Sequence, residues 1–61
     1  MKLYEINGLG KDWRWTGESE DEAIASYIYD ICGALTLEDY EEYCDSVHVD
    51  KAIWATEVLS V

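Results

Sequence analysis

Two four-residue boxes in the middle of the chain, Ser19-Glu20-Asp21-Glu22 and Thr36-Leu37-Glu38-Asp39, restrict its fold more than any other feature. Each sets a hydroxyl residue three positions ahead of an acid. In that pattern the hydroxyl oxygen accepts from an orphan backbone N–H at a helix start, and an acid can reach back. Helices are therefore expected to open at Ser19 and at Thr36. The three acids of the first box also suit the positive end of a helix dipole. Beyond it, Ile24, Tyr27, Ile28, Ile31 and Leu35 recur at helical spacing as one apolar stripe. Gly33 stands near the expected end of that helix. The second helix is short, running to about Cys44 or Ser46, with Leu37, Tyr40, Tyr43 and Cys44 on its apolar side. Val47-His48-Val49 fits neither period.

Extended segments flank the helices. Residues 2–7, KLYEIN, alternate weakly, and Asn7-Gly8-Leu9-Gly10 is turn material. The alternation of Asp12-Trp13-Arg14-Trp15-Thr16 completes a hairpin, with Trp13 and Trp15 on the core side and Arg14 and Thr16 opposite. Gly17 closes the strand. After a turn at Asp50-Lys51, the β-branched run Ile53–Val61 is expected to form the last strand. These elements predict an α+β fold: a three-stranded antiparallel sheet, in the order β-β-α-α-β, with two helices packed on one face. The last strand is expected to join the sheet and hide the Trp13 and Trp15 face. The chain has no proline and no linker, so residues 1–61 read as a single domain.

A chain of 61 residues buries only about 60% of its unfolded surface, so a deep cavity of ~300 Å³ is hard to build inside it. Half of its residues are nonetheless apolar, three Trp and five Tyr among them, which is too many for intrinsic disorder. The net charge of −10 disfavours direct contact with nucleic acid or with an anionic membrane. It favours a positively charged surface on another macromolecule. With no signal peptide and no apolar run of 18 residues, a cytoplasmic protein is expected. There Cys32 and Cys44, which lack C-x-x-C spacing, stay free and buried as small hydrophobes.

The charge is not evenly spread. Thr36 to Asp45, TLEDYEEYCD, holds five carboxylates, and no Lys or Arg occurs from Ser19 to Val49. On the second helix Glu38, Glu41, Glu42 and Asp45 fall on one side, at spacings i, i+3, i+4 and i+7. Like charges so placed cost a few tenths of a kcal/mol per pair, and alternation with Lys would have avoided it. One reading is a solvated face that keeps a small acidic protein soluble. The other is mimicry of a phosphate backbone, with carboxylates about 5–6 Å apart offered to a groove that holds nucleic acid. Asp39, Glu18, Glu20, Asp21 and Asp30 extend the anionic surface toward the first helix. Tyr29 projects opposite the apolar stripe, near Glu22, Ser26 and Asp30, either as an interface anchor or beneath another element.

Other chemistry finds little support. Cys44-x-x-x-His48 supplies two ligands where a structural zinc site takes four. A Cys-His nucleophile lacks an orienting partner for His48. There is no EF-hand loop, and Gly8 and Gly10 form too short a pattern for phosphate. No enzymatic activity, cofactor or metal is expected.

In format the chain resembles the small, strongly acidic phage proteins that disarm bacterial defence, anti-CRISPR proteins of the DNA-mimic type. One compact α/β domain places a hairpin before SEDEAI and the acidic helix TLEDYEEYCD after it. The resemblance implies a stoichiometric inhibitor that occupies a basic DNA-binding surface of a CRISPR effector (surveillance) complex and blocks target DNA. Glu38, Glu41, Glu42 and Asp45 would make that contact, with Asp39, Asp30, Glu22 and Tyr29 behind them. Two alternatives stay open. One is an inhibitor of a restriction enzyme or another DNA-binding protein. The other is a non-enzymatic oligomerising or adaptor module using Trp54 or the last strand. That strand would set Ile53, Ala55 and Leu59 on one face and Trp54, Thr56 and Val58 on the other. A monomer or a weak homodimer is compatible with these readings.

Overall fold

The computed structural model describes residues 1–60, and side chains as far as Val58. Strand β1 (Lys2–Gly8) and strand β2 (Lys11–Gly17) are followed by helix α1 (Glu20–Cys32), helix α2 (Leu37–Val47) and strand β3 (Trp54–Ser60). The sheet is antiparallel throughout, in the order β2-β1-β3. The α+β architecture is the expected one. β3 begins one residue after Ile53, and Val61 lies outside the described residues.

Gly8 pairs with Lys11, which leaves Leu9 and Gly10 as a two-residue hairpin loop. Both have positive φ, 57° and 72°, as a type I′ turn requires. Asn7 ends the expected strand, and Gly8, expected in the turn, belongs to the strand as well. The Asn7 side-chain amide donates to Asp12 across the ladder at 2.6 Å. Gly8 is needed at its place in the core: a Cβ there would lie 3.2 Å from Ile53, from the Tyr27 ring and from the Tyr40 hydroxyl.

Tyr4 and Ile6 of β1 point toward the helices and are buried, while Glu5 between them faces solvent. Trp15, opposite Tyr4, packs edge-on against Tyr27 with ring centroids 5.6 Å apart. Its indole N–H donates to Ser26 at 3.1 Å. Trp13 corrects the expectation of a core pair. It stands opposite Ile6 on the outer strand β2 and stays 41% exposed, because the cover that α1 gives to Trp15 does not extend to it. Nor does β3 hide the tryptophans, since it pairs with β1 on the edge away from β2.

Both helix starts form as the boxes predict. Ser19 Oγ accepts from the Glu22 N–H and Thr36 Oγ1 from the Asp39 N–H, each at 3.2 Å. α1 ends at Gly33 (φ 69°), whose N–H donates to the Tyr29 carbonyl. α2 runs slightly past its expected end, to Val47, and His48 takes the left-handed capping position at φ 60°. The start of α1 lies close on the end of β2. A Cβ on Gly17 would sit 2.9 Å from the Ala23 backbone nitrogen.

The core comprises Tyr4, Ile6, Ala23, Tyr27, Ile28, Ala34, Tyr40 and Cys44. Tyr27 and Tyr40 bury their rings and spend their hydroxyls on the hairpin. Tyr27 donates to the Gly8 carbonyl and Tyr40 accepts from the Leu9 N–H, both at 3.3 Å. Two expected stripes are narrower than predicted. Leu35 lies past the Gly33 cap, off the helix whose period it continues, and is 77% exposed; Ile31 in the last turn of α1 is also exposed. On α2 only Tyr40 and Cys44 are buried, while Leu37 and Tyr43 are exposed, because α2 covers the core along a single line of side chains. Cys32 is half-buried, Cys44 is fully buried, and the two are not joined.

Candidate partner-binding surface

α2 presents its acids as the spacing requires. Glu38, Asp39, Glu42 and Asp45 are exposed, and among the described residues none has a cation within ion-pair distance. Glu41 differs. It occupies the flank of the stripe nearest Cys44, is half-buried, and meets Lys51 at 3.8 Å. The sequence shows no cation between Ser19 and Val49, but the turn after α2 folds Lys51 back onto the stripe. The anionic face available to a partner is therefore Glu38, Glu42 and Asp45, with Asp39 beside it.

On α1, Glu22, Tyr29 and Asp30 are all exposed, Tyr29 by 57%. At 100° per residue, Glu22 and Tyr29 lie on the outer side of the helix, and Asp30 on the flank of Ser26 and Trp15. Among the described residues no other element covers Tyr29. Elsewhere acids are partly compensated: the N-terminal amine meets Glu18 at 3.8 Å and Lys2 meets Glu57 at 3.7 Å.

The opposite flank of α1 carries a feature that the periodicity does not announce. Ile24, Ala25 and Ile28 form the floor of an open apolar groove of about 530 Å³, walled by Leu35, Leu37 and Ile53. Asp21 and Thr36 are its polar lining residues. The expected difficulty of building a cavity applies to the interior; this space is formed on the surface, where α1, the connection to α2 and the approach to β3 fail to close over one another. The available signal was the pair Leu35 and Leu37 on either side of a helix cap, where no single helix face could bury both.

The interior titratable groups are tied to the core. Burial pushes the Tyr40 hydroxyl well above the usual tyrosine range, and the neighbouring Cys44 thiol adds to the effect. Burial likewise raises Tyr27 and Cys32. The sequence pair Cys44 and His48 is separated by environment, the thiol inside the core and the imidazole exposed at the α2 cap. Among the described residues no group of three His, Cys, Asp or Glu side chains is placed to hold a metal ion. No described helix is long and apolar enough to cross a membrane.

Compared with protein-family models, with curated proteins and with solved structures, the chain gives no match in any of the three.

Proposed function

We propose that this protein is a stoichiometric inhibitor that presents α2 as a surrogate for a phosphate backbone to a basic DNA-binding surface. The target that the resemblance suggests is a CRISPR effector complex, whose access to target DNA the protein would block; another DNA-binding protein, such as a restriction enzyme, offers the same chemistry. The observation that supports this reading is that Glu38, Asp39, Glu42 and Asp45 are exposed on one short capped helix and, among the described residues, meet no cation at ion-pair distance. A rigid helix holds the carboxylates at fixed spacing, so their repulsion is already present before binding. A Lys/Arg-lined channel would relieve it and speed encounter.

The test is competition for DNA. Purified effector complexes are incubated with the protein, then with labelled target DNA, and bound DNA is resolved by electrophoresis. The wild type should block binding in a salt-sensitive way, and the Glu38→Gln, Glu42→Gln, Asp45→Asn variant should not. Equal blocking by both, or by neither across the complexes tried, would reduce the stripe to a solvated face.

One observation favours a second reading. β3 is an edge strand, and its outward residues Trp54 and Val58 are 53% and 45% exposed. Sheet extension through this edge would make a homodimer or an adaptor contact. Such an interface would survive salt that abolishes binding through α2.

A further inference from the structure

The apolar groove on α1 does not overlap the stripe on α2, and its surroundings specify what it can take. Its floor, Ile24, Ala25 and Ile28, follows the i, i+1, i+4 positions of one helix flank, and Leu35 and Leu37 wall it with side chains that are 77% and 55% exposed. Exposed leucines at both sides of a single helix cap leave the apolar wall of the groove open to solvent. At Asp21 the groove meets a second hollow, polar and shallower, lined by Glu18, Glu20, Asp21 and Glu57 together with Lys2. Among the described residues Glu20 and Asp21 are exposed there without a cation at ion-pair distance, and no described Lys or Arg lines the apolar groove.

We infer that this groove docks a basic segment of a partner protein, inserting one large aliphatic or aromatic side chain between Ile28 and Leu37 and setting a neighbouring Lys or Arg against Asp21 and Glu20. Charge complementarity selects this occupant. A second copy of the chain brings a further −10 to an acidic rim, and a nucleic acid or an anionic lipid surface brings more negative charge still. A basic peptide without an apolar anchor leaves the groove floor wet and gains only screened surface attraction. Burying a leucine-sized anchor adds about 1.5–3 kcal/mol, roughly ten- to a hundredfold in affinity. The inference stands apart from the phosphate-surrogate reading, since it uses different residues and requires a protein rather than any basic channel.

Two synthetic helical peptides of equal charge test it on the full-length, isotope-labelled chain. One has Leu along one face and Lys elsewhere; the other replaces each Leu by Gln. The leucine peptide should shift the amide resonances of Asp21, Ile24, Ala25, Ile28 and Leu37, and those shifts should persist at raised salt. The Gln peptide should bind at least about tenfold more weakly and lose its shifts with salt. Ala25→Glu fills an exposed position on the groove floor while adding an acid, and Leu37→Ser removes an exposed wall without changing charge. Both should weaken the leucine peptide, whereas attraction by charge alone predicts that Ala25→Glu tightens it. Neutralising Glu38, Glu42 and Asp45 should leave the groove shifts in place. The inference is overturned if the two peptides bind alike, if Ala25→Glu binds more tightly, if only the stripe variant loses binding, or if groove resonances shift with protein concentration alone, which would seat a second copy there.

Discussion

The Leu9 backbone N–H donates to the hydroxyl of Tyr40 at 3.3 Å, a bond that joins the tip of the first hairpin to α2 across 31 positions of sequence. It holds a non-glycine residue at φ 57°, a conformation that costs L-amino acids roughly 1–2 kcal/mol. The same hydroxyl sits where a Cβ on Gly8 would intrude. Hairpin geometry and helix placement therefore depend on one another.

Tyr40→Phe should accordingly destabilise the protein by about 1–2 kcal/mol, since it leaves a partly buried N–H without its partner. Chemical denaturation measures this directly. An unchanged midpoint would show that water replaces the hydroxyl at no cost.

Gly17→Ala should destabilise by about 1–3 kcal/mol. The new Cβ meets backbone of Ala23 rather than a side chain that could swing aside, so α1 must shift off the sheet. A midpoint equal to wild type would mean that the close approach of α1 to β2 is not needed for stability.

His48→Gly should stabilise by about 0.5–1 kcal/mol. His48 is exposed and holds a left-handed cap that glycine adopts without a Cβ penalty. Thermal unfolding reads the gain; a loss would mean that the imidazole makes an interaction worth more than the strain.

Neutralising Glu38, Glu42 and Asp45 should raise stability, by about 0.2–0.5 kcal/mol for each like-charge pair relieved, while the dipole gain at Asp45 near the negative end of α2 is offset by the loss at Glu38 in its first turn. The gain should shrink as salt is added. A stripe that stabilises the free protein would show the opposite sign, and the proposal that binding relieves its repulsion would fail.

Alkaline pH should destabilise the protein. Tyr27, Tyr40 and Cys32 are all raised by burial above their ordinary values of 10.0, 10.0 and 9.0. Between the unfolded and folded values the folded state holds more protons, so their contribution is complete below about pH 9 and falls as pH rises through 9 to 10 and beyond. Denaturation midpoints followed from pH 7 upward should be flat and then decline, and Tyr40→Phe should decline less steeply. A midpoint that holds steady to pH 11 would contradict the buried environment of these groups.

How much of this was legible in the chain differs from element to element. The capping boxes placed both helix starts, because a hydroxyl and an N–H three residues apart interact whatever surrounds them. Alternation and helical spacing set the order of elements and put the α2 acids on one side. Periodicity then overreached at Leu35, which follows the helix-ending Gly33, and at Trp13, whose face was right but whose cover was missing.

Residue order carries what short-range physics controls: where helices begin, which residues share a face, and that this protein meets its surroundings as a strong anion. The rest follows from packing in three dimensions. Packing brought Lys51 onto Glu41, set Gly8 between Tyr27 and Tyr40, and left Leu35 and Leu37 open beside Ile24 and Ile28. Each of these depends on how one element passes over another. Spacing along a chain records the direction in which a side chain points and carries no information on what will lie there.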